Sequence, residues 1–420
     1  MKRLHRILYL WHRYVGLAMA LFLVIVALTG TILAFSPQLN RVFAPQIYAK
    51  IRPGVPRLDL ATLINRIQEQ VPTATVRLVG TMPPDRAYAL AAPKKNPATG
   101  KPYDDPGTIW ADPWTGKILG TYHRSDDLSQ GGMSVIPFIL HIHDRLLTRG
   151  GWGSTFLGIV ALFWLVDCFV ALYLTMPPVL SRFFHHWKPS WLIKANAGPY
   201  RLNLDLHRAF GLWLWPIVLI FAASSVMYNL PSVWRPLMSS LFGSPGRGIP
   251  IQKTAANARK GAKSRRQPDW NRALAEGQRL LAGLDAAQGL APGTPGSLSY
   301  AAATDTYGYS ENLGQDGRLN RTVTFDLEKS EVLTYSGKQE KQGVPTDQFI
   351  DGWLRRLHTA DNLGLLYQTF VAFLGLVITM FSVTGVYLWW KKWSIRRARR
   401  KGGERGAVPA AGVGAMEAGS

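Results

Sequence analysis

Long apolar runs alternate along the chain with segments of shorter-period polarity. Three runs carry no charge, Tyr14 to Asn40, Ala209 to Trp234 and Asn362 to Trp390; a fourth, Gly150 to Ser181, is interrupted by Asp167 alone. Each exceeds the ~20 helical residues that cross a ~30 Å hydrocarbon core. The pattern therefore predicts an α-helical membrane protein with four spans, at 1–40, 143–180, 207–231 and 358–392. Between spans lie two longer segments, 41–142 and 232–357. In the first, Leu58 to Gln70 has helical amphipathicity, and Ala74 to Leu78 and Tyr88 to Ala91 alternate as strands do. Thr108 to Leu119 reads as two strands around a turn at Asp112-Pro113 and Thr115-Gly116. The second segment repeats the order, with a helix at Trp270 to Leu284 and strands ending at Thr322 to Leu333. Both are expected to be separate α+β domains. The stretch 243–268, rich in Gly, Pro, Lys and Arg, reads as a basic linker, and 393–420 as a basic, disordered tail.

Charge orients this arrangement. The 420-residue chain carries a net charge of +22, which by itself suits nucleic acid, but the basic residues flank the apolar runs. Lys2, Arg3, Arg6 and Arg13 precede the first span. Arg182, Lys188, Lys194 and Arg201 occupy the loop 181–206. Lys391, Lys392, Arg396, Arg397, Arg399 and Arg400 follow the fourth span. The positive-inside rule places these three segments in the cytoplasm, with both termini inside and the two large segments on the other side of the membrane. Attraction to a lipid surface accounts for the charge without a nucleic-acid partner. The first run is too long for a secretory leader, and Pro37 follows its one small-residue site, Ala34-Phe35-Ser36, so it reads as an anchor. Cys168 is the sole cysteine, which excludes iron–sulfur clusters, c-type haem attachment and internal disulfides.

The spans also repeat. His12-Arg13-Tyr14-Val15-Gly16-Leu17 opens the first and His207-Arg208-Ala209-Phe210-Gly211-Leu212 the third, and each is followed by a span, an α+β segment, a further histidine and another span. A duplicated unit is the economical explanation. Of nine histidines, His12 and His207 fall at the inner ends of spans, and His141, His143 and His358 just before spans two and four at the outer surface. One pair on each side suits bis-imidazole ligation of two b-type haems, an arrangement for electron transfer rather than oxygen binding. His141 and His143 compete for one outer position; His143, which leads through Asp144-Arg145-Leu146-Leu147 into the span, is preferred. His5 is the alternative on the face of His12. His123, His185 and His186 read as surface residues. Arg13 and Arg208 inside, and Arg145, Arg355 or Arg356 outside, are candidate partners for haem propionates. Asp167 either satisfies a polar partner in the bundle or tunes a cofactor.

In these motifs, Leu10 to Leu17, His143 to Leu147, Leu206 to Leu212, Leu357-His358 and the segment ending Asp112 to Leu119, the chain resembles the PepSY-associated transmembrane family from about residue 3 to 392. Members include bacterial inner-membrane siderophore reductases with haem between four helices. The resemblance implies that His12, His143, His207 and His358 are haem ligands, and that the outer segments are PepSY-like domains. It also implies that the acceptor is a periplasmic ferric siderophore, from which reduction to the softer Fe(II) frees the metal. Ile142 and the extra His141 depart from the outer motif. No dinucleotide fingerprint fits the short cytoplasmic loops, so the electron donor is expected to be a quinol or a separate cytoplasmic reductase. A competing reading is non-catalytic: PepSY domains held outside as a peptidase inhibitor or sensor. A transporter ranks last, because polar groups within the runs are few, essentially Asp167, Ser224 and Ser225.

Overall fold

The computed structural model describes residues 2–122, 128–178, 181–242, 267–313, 320–336, 346–360 and 363–406. Its first half runs α1 (Lys2–Leu33), α2 (Ser36–Phe43), α3 (Leu60–Gln70), β1 (Ala74–Met82), β2 (Arg86–Pro93), β3 (Thr108–Ala111), β4 (Ile118–Tyr122), α4 (Gly132–Arg145) and α5 (Trp152–Thr175). A short α6 (Phe183–Trp187) leads to the second half: α7 (Pro199–Trp213), α8 (Trp215–Asn229), α9 (Pro231–Phe242), α10 (Trp270–Ala287), β5 (Thr294–Ala301), β6 (Thr306–Asn312), β7 (Asn320–Asp326), β8 (Glu331–Ser336), α11 (Thr346–Thr359) and α12 (Gly364–Gly406). Among the described residues, α1, α5 and α12 are long and apolar enough to cross a membrane, and α7 with α8 makes a fourth span if a 74° bend is allowed within it. The bend falls where Pro216 enters α8, since proline has no N–H to continue the helical ladder.

With α7 and α8 counted as one bent span, the element order of the two halves is the same, as the duplicated motif predicts, and so is the local chemistry. Asp59 caps α3 by accepting from the Thr62 amide at 2.9 Å, and Asp269 caps α10 by accepting from the Arg272 amide at 3.1 Å. Asp112 closes the β3–β4 turn by accepting from the Trp114 and Thr115 amides. Asp326 closes the β7–β8 turn through the Glu328 and Lys329 amides. Gly116 supplies the left-handed residue of the first turn and Ser330 that of the second, so the second turn lacks the usual glycine signal in sequence.

The two segments expected as separate domains form one body. Their strands join in an eight-stranded antiparallel sheet ordered β4-β3-β2-β1-β5-β6-β7-β8. At the seam the first strand of each half pairs, with Leu78, Val79 and Gly80 opposite Ser299, Leu298 and Ser297. Each half alone would leave that strand as an exposed edge with unpaired backbone groups; pairing removes both edges at once. Leu63, Ile64 and Ile67 of α3 and Leu281 of α10 then share one core with Val79, Leu298, Tyr309 and Phe325.

Three further expectations are corrected. His143 and His358 do not head spans two and four but lie on the separate helices α4 and α11. Left-handed residues intervene before the spans, at Leu146, Leu147 and Gly150 in one half and Ala360 and Gly364 in the other, and end those helices. His207 sits within α7 rather than at its start, because Pro199 opens that helix eight residues earlier. The helix of the fourth run extends to Gly406 rather than ending before a disordered tail from 393, as suits basic residues at a helix C-terminus. Residues 407–420, most of the linker (243–266) and His123 lie outside the described residues.

In the bundle, α1 packs along α12 and α5 along α8. The α1–α12 crossing is close because Gly375 faces Ala27 and Thr31: a Cβ there would lie 2.8 Å from the Ala27 carbonyl oxygen. Small residues bring helix backbones together in this way where no water-driven force separates lipid from protein. Gly375→Ile is expected to cost about 1–3 kcal/mol by overpacking and to lower the thermal unfolding midpoint of the purified chain. Gly283→Ala, at an open helical position, serves as the control and should not lower it.

Candidate functional site

Four of the predicted histidines meet in two pairs. His12 on α1 faces His207 on α7 with ring centroids 6.1 Å apart, and His143 on α4 faces His358 on α11 at 6.2 Å. The second pair lies on the side of the sheet and the first at the far end of the bundle. His12 and Val26, which contacts His143, are fourteen residues apart on α1, or about 21 Å at the helical rise.

Every one of these rings has its Nδ1 engaged by a neighbouring helix. His12 Nδ1 lies 2.9 Å from the Asp167 carboxylate on α5. His143 Nδ1 lies 2.9 Å from the Val26 carbonyl oxygen, with Thr29 Oγ1 at 3.1 Å. His207 Nδ1 lies 3.0 Å from Thr384 Oγ1 on α12, and His358 Nδ1 2.7 Å from Ser224 Oγ on α8. A carboxylate and a carbonyl only accept, so His12 and His143 donate from Nδ1. The Thr384 hydroxyl already donates to the Met380 carbonyl and the Ser224 hydroxyl to that of Phe221, so both accept from histidine as well. All four rings are thereby assigned as Nδ1–H tautomers, which leaves Nε2 with a free lone pair. A metal ion held between two imidazoles by bonds of about 2 Å separates their ring centres by roughly 6 Å, so each pair is spaced for one ion. Among the described residues no group of three or more metal-binding side chains occurs; any further donors must come with the bound group.

The remaining candidates separate clearly. His141 is buried on α4, two residues from His143 and so turned to a different face; it does not meet His358. His5 contacts Tyr173 instead of joining His207, and His185 and His186 face each other on α6. Arg208 donates to Asp205 and to the Pro189 carbonyl, and Arg13 lies over Tyr14. Arg145 pairs with Asp144, and Arg355 lies over Tyr228, whose ring contacts His358. Asp167 is resolved as a hydrogen-bond partner of His12. Thr29 and Thr384 were not singled out in the sequence; a hydroxyl inside an apolar run is the signal that would have found them.

Space and unpaired donors accompany the rings. Gly16 and Gly211 each lie four residues after a histidine, on the same helix face, and a Cβ at either would meet nothing within 4 Å. Trp11 Nε1, Arg13 Nε and Arg208 Nε are buried without a hydrogen-bond partner. On the other side a cavity of about 1000 Å³ extends from His143 and His358 to the seam of the sheet.

The family model described as PepSY-associated TM region matches residues 9–392. No curated protein matches the chain.

Proposed function

The chain belongs to the PepSY-associated TM region family, and on that premise we propose that His12 with His207 and His143 with His358 each hold one haem b, making a two-step electron path through the membrane. The observation that carries this reading is the pair geometry: facing imidazoles about 6 Å apart, with every Nδ1 occupied and every Nε2 free. Open space at Gly16 and Gly211 suits a planar group against α1 and α7, and the unpaired Arg13 and Arg208 Nε donors suit its propionates. Bound haem supplies a one-electron Fe(III)/Fe(II) couple. The residues of the chain orient it: Asp167, Thr384, Ser224 and the Val26 carbonyl lock the imidazole planes and tautomers. Apolar side chains from α1, α5, α8 and α12 exclude water between the two levels.

In this reading four spans cross a bacterial inner membrane with both termini in the cytoplasm and the sheet in the periplasm. His12 and His207 would hold the haem that takes electrons from a quinol or a cytoplasmic reductase, and His143 and His358 the haem that would pass one electron to the Fe(III) of a periplasmic siderophore, releasing Fe(II). The enzyme is then a haem-dependent ferric-siderophore reductase.

The purified chain is expected to show a reduced-minus-oxidised b-type spectrum with two haems. His207→Ala should remove one and His358→Ala the other, His143→Ala should act as His358→Ala does, and His141→Ala should retain both. A colourless protein sinks this reading and leaves the sheet as the functional part, in a peptidase inhibitor or sensor. Asp167→Asn replaces the carboxylate that polarises His12 with a neutral acceptor, which weakens the ligand's basicity and favours the reduced state. A spectroscopic redox titration should find one centre shifted upward by tens of mV, the one-electron equivalent of about 1 kcal/mol of hydrogen bonding, and the other unmoved.

A further inference from the structure

The sheet-side cavity contains a cluster that neither the imidazole pairs nor the core uses. Tyr48 lies between two guanidinium groups, with Arg41 4.3 Å and Arg86 4.2 Å from its ring centroid, and Arg86 also lies 4.9 Å from the centroid of Trp110. Three arginines and two aspartates line the cavity. Arg41 is paired with Asp85 at 2.8 Å and Arg145 with Asp144. Arg86 is the charge left over: its Nε, like the Tyr48 hydroxyl, is buried with no hydrogen-bond partner. Burial pushes the Arg86 guanidinium below its ordinary pKa, and Tyr48 and Asp85 oppose this only in part. Stacking on two rings satisfies the faces of a guanidinium but none of its N–H groups, so packing alone does not explain an unpaired donor beside an unpaired hydroxyl. An oxyanion would satisfy both.

Size narrows the ligand. The cavity of about 1000 Å³ is also bordered by His143 and His358, so with a group held by that pair only its sheet-side part, beside Arg86 and Tyr48, is left, which suits a compact chelate. Phe22, Leu140 and Phe221 give it an apolar wall towards the histidines, and in such surroundings an uncompensated charge discriminates more strongly than in water.

We infer that Arg86 and Tyr48 form an oxyanion site that admits negatively charged chelates to the sheet-side pair and disfavours cationic ones. As an acceptor site this rests on the electron-transfer reading above; as a binding site it does not. The same oxyanion chemistry is offered by a phospholipid headgroup, so the test separates the two sources. The full chain in nanodiscs of zwitterionic lipid is titrated calorimetrically with redox-inert gallium(III) citrate and with the gallium(III) complex of a cationic tris-hydroxamate.

The citrate complex should bind at least tenfold more tightly than the cationic one. Arg86→Gln should weaken it at least tenfold, Tyr48→Phe a few-fold, and Arg86→Lys should fall between, since lysine keeps the charge and loses the planar fork. Equal affinity for the two chelates overturns the inference, as does unchanged citrate binding in Arg86→Gln or in a folded Arg86→Lys. Loss of citrate binding in discs of phosphatidylglycerol also overturns it, because the headgroup then owns the site. Gallium is not reduced, so a colourless protein that still binds citrate in this way keeps the oxyanion site while the electron-transfer reading fails.

Discussion

The hydrogen bond from each histidine Nδ1 to an adjacent helix is the constraint on which the arrangement turns. An imidazole within an apolar bundle has two nitrogens to satisfy, and leaving either unpaired costs free energy. Here one nitrogen is tied to a group on another helix, at 2.7–3.0 Å for the closest partner of each ring. That bond does two things at once. It links α1 to α5, α4 to α1, α7 to α12 and α11 to α8, and it leaves the second nitrogen of each ring unbonded while the paired ring centroids stand about 6 Å apart. Helix packing and the facing of the rings are thus the same set of contacts seen from two ends.

The duplication gives these contacts their pattern, and the departures from it carry the chemistry. His143 on α4 bonds to α1, the first helix of its half, and His358 on α11 bonds to α8, the corresponding helix of the other half. His12 bonds to α5 and His207 to α12, again in matching positions. Three of the four acceptors are neutral: a carbonyl and two hydroxyls. The fourth is the Asp167 carboxylate, whose Oδ1 is buried without a partner. Replacing a hydroxyl by an ionisable group at one of two equivalent places is expensive in an apolar bundle, and the far-side pair is where the symmetry is broken.

Much of this was legible in the sequence because the relevant signals are local. The alternation in β1 and β2, the Asp112 turn and the His-Arg-x-x-Gly-Leu repeats are each read within a dozen residues, and each apolar run within one continuous stretch of the chain. What escaped is long-range. Nothing near Leu78 announces that it pairs with Ser299, more than two hundred residues away, so one sheet was read as two domains. Left-handed Leu146, Leu147 and Ala360 are not glycines and carry no breaker signal, so the sequence places the ends of α4 and α11, from His143 and from His358, at the starts of the spans that follow. The pairing of Arg86 with Tyr48 is equally long-range, since it exists only once α2, the following loop and β2 are brought together.

Those separate helices bear on how the two pairs differ. On the far side both imidazoles are mounted on helices of the bundle itself, α1 and the α7 half of the bent pair. On the sheet side both are mounted on short helices that follow the last strand of each half and end in left-handed turns. α4 packs on α2 as well as on α1, and α11 on α9 as well as on α8. The sheet-side rings therefore take their positions jointly from the bundle and from the segments that lead to and from the sheet. Because β1 and β5 bind the two halves into a single sheet, α4 and α11 are carried by one body rather than two. That shared support holds His143 opposite His358 at the border of a cavity the sheet itself helps to enclose.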